Sequence, residues 1–266
     1  LFANIIAQAR FTAEQQSLML GLVTPYNIGS TPGKTIQIPK YPSIAAAALT
    51  EGTDMSSTTV STSSVTVTIA EVGAQVLLTD LARDGHGNPA IELGTVLGSA
   101  IAKKMDQDLL ALFDGFSTSL GGAGTEITVA DIFKAVAILQ NNNAPGSMAA
   151  VIHPYTAYQL KANLTNTFAN PNGGDAQNEA MRSSFVGSLG GVDIYQSSNL
   201  TVDGNDDVKG AVFSREALAI ALKRDFQIET QRDASLRATE LNATAVYGVG
   251  ELDDTYGVEL FFDAAV

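Results

Sequence analysis

One stretch, from Asn88 to Phe113, constrains the fold of this chain more than any other. Apolar residues recur in it every three or four positions, the spacing that places side chains on one face of an α-helix. Asn88 and Pro89 suit a helix start, because a side-chain oxygen accepts from a first-turn N–H and proline has no N–H to satisfy. We predict an amphipathic helix of roughly 39 Å, with its core positions at Leu93, Leu97, Ile101, Met105 and Leu109.

The opposite face of this predicted helix is polar and is made by Lys103, Lys104, Asp106, Gln107 and Asp108. One face is therefore suited to a core and the other to water. A helix of this length spans a whole domain, so we expect the strands before and after it to lie along it. A structural role is favoured over ligand binding for such a stripe.

The composition describes a folded chain with an acidic surface. Hydrophobic residues make up 45% of the 266 residues and charged residues 16%, which is enough for a core and too apolar for disorder. The length predicts one elaborate domain or two small ones. Lys plus Arg number 15 and Asp plus Glu 28, so the formal net charge is −13. Such a surface repels phosphate, which disfavours direct nucleic-acid binding.

Several kinds of site are excluded by residues that the sequence lacks. Without cysteine there is no disulfide, no thiolate metal site and no thiol nucleophile. His86 lies in a turn between glycines and His153 at a strand end, where structural roles are favoured for both. No Gly-x-Ser-x-Gly or His-Glu-x-x-His motif is present. No apolar run reaches the ~20 residues that a membrane span needs. We expect no enzyme activity, no cofactor, no metal and no membrane insertion.

Residues 33–79 predict an extended β-hairpin, called the arm below. Residues 35–39 alternate as a strand, and the alternation resumes from Val65 and continues to Thr79. Between them, residues 43–64 are mostly alanine, serine, threonine and glycine and carry little that could fill a core. A hairpin with so little core is not stable alone, so we expect it to lie on another molecule. The alternative is a flexible loop on a monomer.

The rest of the chain falls into two patterns. After the glycine-rich boundary at 121–124, residues 125–205 alternate helix and strand, which is typical of a small α/β unit. From Gly210 onward strands dominate, which predicts a β-rich unit that encloses the long helix. Among the charged residues of this last part, Arg232, Asp233, Arg237 and Glu240 are candidates for ion pairs between subunits.

The order of these elements resembles the major capsid protein of tailed bacteriophages, the Hong Kong 97-type fold. Residues 50–52 (Thr-Glu-Gly) near the tip of the arm, the stretch 151–154 (Val-Ile-His-Pro) before a helix, and residues 187–197 carry the resemblance. It implies an α+β chain with an N-terminal arm (1–32), the extended hairpin loop (33–79), a peripheral domain (80–124 and 206–266) that contains the spine helix 88–113, and an α/β axial domain (125–205).

The resemblance also implies a function. The subunit is expected to form hexamers and pentamers of an icosahedral shell that encloses double-stranded DNA without binding it specifically. Portal and scaffold proteins, and a decoration protein, are the implied partners; assembly is expected in the host cytoplasm and residence in the virion capsid. Glu51, Gly52 and Asp54 of the arm are the implied assembly residues. An encapsulin-type nanocompartment shell and an α/β hydrolase are the alternatives.

Some members of this family join their subunits through an isopeptide bond between a lysine on the arm and an asparagine of a neighbour. No lysine occurs here between Lys40 and Lys103, so the tip of the arm carries hydroxyls, alanines and carboxylates. Hydroxyls are far weaker nucleophiles than amines unless a base activates them. Lys34 and Lys40 lie at the base of the arm. We therefore expect a shell that is held together without covalent cross-links.

Overall fold

The computed structural model of the chain describes residues 17–29, 32–41, 44, 46, 48–52, 54, 57, 59–85, 90–168 and 188–265. Within them the α-helices are α1 (Asp80–Gly85), α2 (Ala90–Leu110), α3 (Val129–Asn141) and α4 (Pro154–Phe168). Short 3₁₀ turns lie at Met19–Gly21, Ala111–Gly115 and Asp254–Tyr256. Residues 1–16 of the predicted N-terminal arm lie outside the described residues, as do His86, Asn88 and Pro89.

The strands of this described part form three sheets. They are β1 (Thr24–Asn27), β2 (Thr35–Lys40), β3 (Ser63–Thr68), β4 (Ala70–Thr79), β5 (Ser119–Gly121), β6 (Met148–Ile152), β7 (Ser188–Leu189), β8 (Val192–Gln196), β9 (Asp207–Ser214), β10 (Leu218–Asp233), β11 (Ala238–Glu251) and β12 (Gly257–Asp263). Sheet 1 has the order β1-β10-β11-β4, and sheet 2 the order β5-β12-β9-β6-β8-β7. The third sheet is the arm hairpin, β2 paired with β3.

Helix α2 lies on one face of sheet 1. Leu97 and Leu109 are fully buried and Ile101 is 2% exposed, while Leu93 and Met105 are half-buried against the same apolar cluster. Each fully buried side chain of this size contributes roughly 1.5–3 kcal/mol. Successive residues of a strand point to opposite faces, so alternate residues of β11 complete the cluster: Leu241, Ala243, Ala245 and Tyr247.

The predicted long helix is confirmed over Ala90–Leu110, which makes it roughly 31 Å long. The predicted end at Phe113 is wrong, because the chain tightens into the 3₁₀ turn Ala111–Gly115 after Leu110. Phe113 in that turn is fully buried, and its ring centroid lies 5.3 Å from that of Phe213 in β9. The end of the helix therefore packs on sheet 2, and one apolar cluster joins both sheets.

The polar face of α2 contains one buried carboxylate. The spacing predicts Asp106 on the solvent face, and this is wrong: Asp106 is 1% exposed. Its carboxylate accepts hydrogen bonds from the backbone N–H of Leu18 and of Met19, both at 3.1 Å, and from Ser17 Oγ at 2.9 Å. The start of the described chain is thus fastened near the C-terminal end of α2, at a distance in sequence that no local pattern reveals.

The other face of sheet 2 is covered by α3 and α4. Helix α3 begins with a capping box, in which Thr128 and Asp131 satisfy each other's backbone N–H groups. The apolar side chains that line this second core come from both helices and the sheet: Ile132, Ala135, Val136, Leu139, Ala157, Leu160, Ala150, Ile152, Val212 and Leu260. Ala150 and Val212 lie here, whereas their neighbours Val151 and Phe213 face α2, so sheet 2 is buried on both sides.

The sheets do not separate at residue 205, where the sequence places a domain boundary. Strands β9 and β12, which follow that boundary, pair with β6 and β5 in sheet 2, whereas β10 and β11 lie in sheet 1. The alternation predicted as one strand from Val65 to Thr79 is also divided at Ile69: β3 stays with the arm hairpin, and β4 forms an edge of sheet 1. Periodicity shows that a segment is extended, but not which sheet it joins.

Candidate assembly surfaces

The chain leaves the body of the molecule at the outer end of the arm hairpin. The outermost pair of that hairpin is Lys40 opposite Ser63. The arm segment, residues 41–62, has no helix or strand among its described residues. Glu51, Gly52 and Asp54 are exposed there, and Gly52 has a φ of 80°, a backbone conformation that favours glycine. The larger apolar side chains of the segment are also exposed, at 68% for Tyr41, 60% for Ile44 and 67% for Leu49.

Two glycines on β11 form a seat for the arm hairpin. A Cβ placed at Gly248 would lie 2.4 Å from the carbonyl oxygen of Thr68, and one at Gly250 would lie 2.7 Å from Cγ2 of Val67. Residues two apart in a strand share a face, so strand β3 approaches the sheet 1 backbone where no side chain intervenes. A small apolar cluster, separate from the two larger cores, fastens it there: Ile38, Val67, Ala219 and Ala221.

A turn at residues 253–256, the junction turn, lies between the base of the arm and both sheets. Lys40 Nζ lies 2.6 Å from Asp253 Oδ2. The neighbouring carboxylate, Asp254, accepts a hydrogen bond from the backbone N–H of Ser117 at 2.6 Å. The pKa of Glu251 is raised by burial and by the charges of Asp254 and Asp253. The junction turn is therefore rich in carboxylates, and the arm contributes a cation to it.

The last two residues of β10, just before the turn to β11, are two of the four predicted ion-pair candidates. Arg232 donates two hydrogen bonds, at 2.8 and 2.7 Å, to the carboxylate of Asp80 in the same chain. The hydrogen bond from Arg232 holds the pKa of Asp80 below its usual range. Asp233 accepts from the backbone N–H of Leu236 at 3.1 Å and so orders the turn. These partners lie within one chain.

The other two candidates lie at the same end of sheet 1. Arg237 is exposed, with a φ of 49°. Glu240 is half-buried on β11, opposite Leu77 of β4. Apolar side chains surround this end of the sheet, with Leu77 at 48%, Leu81 at 85% and Leu236 at 57% exposure. The sequence did not predict that these leucines are exposed, because leucine is usually a core residue.

The described residues show no arrangement typical of an enzyme centre. His153 is 8% exposed, and burial lowers its pKa. Its Nδ1 accepts from the backbone N–H of Tyr155 at 3.3 Å, so it serves the start of α4. In this part of the chain no group of three His, Cys, Asp or Glu side chains is placed to hold a metal ion. None of the described helices is both long enough and apolar enough to cross a membrane.

Comparison with known proteins shows the family to which this chain belongs. Residues 43–259 match the family described as phage capsid protein. The chain belongs to the phage capsid protein family. One similar protein is the major capsid protein of Staphylococcus phage phiMR11, which is 25% identical to this chain over 234 residues. The matched region covers 86% of this chain and 81% of the relative.

Solved structures share the fold of this phage capsid protein. One from Mycobacterium phage Che8 has a TM-score of 0.73 at 21% identity and covers 92% of this chain and 90% of that one. The acidic stable capsid of Helicobacter pylori bacteriophage KHP30 has a TM-score of 0.71 at 13% identity, with coverages of 91% and 87%. The SrpI encapsulin of Synechococcus elongatus has a TM-score of 0.67 at 11% identity, with coverages of 94% and 89%. The predicted α+β fold of the Hong Kong 97 type is confirmed.

Proposed function

We propose that this chain is the major capsid protein of a tailed phage, which assembles with copies of itself into hexamers and pentamers of an icosahedral shell. The observation that carries the proposal is the family match over residues 43–259. An arm that exposes Tyr41, Ile44 and Leu49 supports it, because apolar side chains in a segment without its own core require cover from elsewhere. The shell encloses double-stranded DNA and forms in the host cytoplasm.

In this proposal the chain divides as a capsid subunit does. Residues 1–32 are the N-terminal arm and 33–79 the extended hairpin loop. Strands β10 and β11 and helix α2 form the peripheral domain, to whose sheet the two preceding segments add β1 and β4. Residues 125–205 form the axial domain together with β5, β9 and β12. That last assignment moves two late strands to the axial side, because they pair within sheet 2.

The arm is the main contact between subunits in this proposal. Residues 41–62 lie on a neighbouring copy, with Glu51, Gly52 and Asp54 near the contact. The end of sheet 1 at Arg237 and Glu240 offers a second contact, and the ordered turn next to it supports this role, since its geometry is held within one chain by Arg232 and Asp233. Portal and scaffold proteins, and a decoration protein, complete the set of partners.

The enclosed DNA is not bound specifically. The formal net charge of −13 supports this, because phosphate is repelled from an acidic lining. Filter or gel assays at ~0.15 M salt should show no micromolar affinity for duplex DNA. Measurable micromolar binding would contradict this part of the proposal.

Electron microscopy of the purified protein tests the proposal as a whole. We expect large, uniform spherical particles, and DNA inside particles from infected cells. Particles that contain only protein cargo would support the alternative of a nanocompartment, which the encapsulin likeness keeps in view. A stable monomer with hydrolase activity would favour the remaining alternative, for which the family offers no support.

A further inference from the structure

The base of the arm is held to the body by one well-defined ion pair. Lys40 is the last residue of β2, where the chain passes from the arm hairpin into the arm segment. Its Nζ lies 2.6 Å from Asp253 Oδ2, and the side chains are 45% and 11% exposed, respectively. Lys40 therefore lies at the start of the arm segment, so a change in the direction of the backbone there changes the direction of the whole segment.

Asp253 is itself held in place by the junction turn. Its Oδ1 accepts hydrogen bonds from the N–H of Thr255 at 3.1 Å and from Thr255 Oγ1 at 2.8 Å, which leaves Oδ2 for Lys40. The backbone N–H of Leu252 donates to the carbonyl of Ala217 at 2.7 Å. Asn142 Nδ2, at the end of α3, donates to the carbonyl of Thr255 at 2.9 Å. Lys40 is therefore paired with a carboxylate whose turn is held by the β9–β10 connection and by the end of α3.

Beside the ion pair, the arm hairpin borders an open cavity. An open cavity of about 350 Å³ lies between the hairpin and the junction turn and is lined by Tyr26, Pro39, Tyr41, Leu252 and Tyr256. The ion pair lies at this cavity, and Glu216 lines it as well. Apolar contact with the body comes from one small cluster around Ile38 and Val67, with Tyr26 and Leu252 partly buried at its edge. A hairpin packed along one side can tilt about that side unless a second contact opposes the motion.

We propose that the Lys40–Asp253 ion pair sets the direction in which the arm leaves the subunit, and that Lys40 is a positioning residue for shell assembly. The inference rests on the proposed function, since the direction of the arm matters when the arm contacts a neighbour. Because Lys40 is 45% exposed, the pair adds little to the stability of the subunit. Its loss should therefore alter assembly far more than melting.

The absence of cysteine allows the direction of the arm to be measured without assembly. Spin labels on Thr50→Cys in the arm and Lys134→Cys on α3 give a distance distribution by double electron–electron resonance on the unassembled subunit. We expect one narrow distribution in the parent and in Lys40→Arg, and a broader, shifted one in Lys40→Met and in Asp253→Asn. An unchanged distribution in Lys40→Met would overturn the proposal, whether or not shells form.

Particle yield supplies the second readout, with Lys34→Met as the matched control because Lys34 lies at the other end of β2. Lys40→Glu, which faces Asp253 with a like charge, should lower the yield of uniform particles by about tenfold or more, while its Tm stays within about 2 °C of the parent. Lys40→Arg and Lys34→Met should assemble normally. Normal particles from Lys40→Glu, or a large fall in its Tm, would overturn the inference. A parent that never forms particles would instead contradict the proposed function.

Discussion

The body and the arm segment of this subunit differ in how much of each is buried within the chain. In the body, α2 packs on sheet 1 along its length and on sheet 2 at its end, so one apolar cluster spans both sheets. In the arm segment, residues 41–62, the described residues are exposed and form neither helix nor strand. The body can fold from contacts within one chain. In the proposed shell the arm segment gains its contacts from a neighbouring subunit, so stability and assembly would reside in different parts of the same chain.

Charges show the same contrast. Several charged residues of the body are paired within the chain, as Arg232 is with Asp80 and Lys209 is with Asp114 and Glu259. In the arm, the carboxylates Glu51 and Asp54 are exposed. Pairs within a chain order a surface before it meets a partner, which lowers the entropy lost on association. The body therefore offers neighbours a surface whose charges are already ordered, whereas the arm segment offers exposed carboxylates.

The largest effect is expected from a charge placed in the core of the body. Ile101→Asp buries an unpaired carboxylate at a cost of about 3–5 kcal/mol, so the protein should aggregate or remain insoluble. Lys103→Asp on the exposed face of α2 is the matched control and should stay soluble. Solubility and thermal melting measure the effect. An Ile101→Asp variant that melts like the parent would show that the assigned inner face of α2 is wrong.

Deletion of residues 45–62 removes arm and leaves the body. Since none of the large buried side chains of the described chain lies in this segment, the shortened subunit should stay soluble and folded, with circular dichroism and melting close to those of the parent. It should form few or no stable shells under the electron microscope. Normal particles from the deletion would remove the distinction between the two regions.

Gly250→Ala tests whether strand β3 of the arm hairpin packs on Gly248 and Gly250 of β11. The added Cβ would lie 2.7 Å from Val67 Cγ2, so the Val67 side chain or the strand that carries it must shift, at a cost of about 1–3 kcal/mol. Gly204→Ala is the matched control, because no atom of the described residues lies within 4 Å of a Cβ placed there. Chemical unfolding compares the two variants. Equal stabilities would indicate that strand β3 is not seated on β11 as described.

A smaller effect of opposite sign is expected at the junction turn. The pKa of Glu251 is raised by burial and by Asp254 and Asp253, so its ionised form costs stability. That cost is present above the folded-state pKa and fades as the pH falls toward the unfolded-state value. Glu251→Gln should therefore raise the unfolding free energy at pH 7 by less than about 1 kcal/mol and lose this pH dependence. A destabilised variant at pH 7 would contradict the assignment.

The last prediction is that no covalent cross-link forms between subunits. Lys40 is paired with Asp253 at the base of the arm, so it is not free to join a neighbour covalently. Mature particles boiled in detergent should give a single band near 27.7 kDa on a denaturing gel. A ladder of covalent oligomers that survives reductant would refute a shell without cross-links, and Lys34 and Lys40 would be the first residues to replace.

Sequence reasoning predicted the fold class, the order of the elements and the long helix. Helix periodicity is a local property, so the inward positions Leu97, Ile101 and Leu109 follow from spacing alone. The arm was also predictable, because a run of small polar residues between two alternating segments has nothing with which to build a core.

Tertiary structure decided which distant segments meet. Asp106 has the spacing of a solvent-facing residue but is buried, because the backbone N–H groups of Leu18 and Met19 approach it from the start of the described chain. Arg232 pairs with Asp80, 152 positions earlier in sequence, and β9 and β10 join different sheets although a short turn separates them. Periodicity and composition are properties of neighbouring residues, whereas pairing and burial depend on the packing of the whole chain. The sequence by itself therefore determined the elements of this capsid subunit, and only its tertiary packing decided how the arm hairpin is held on the body.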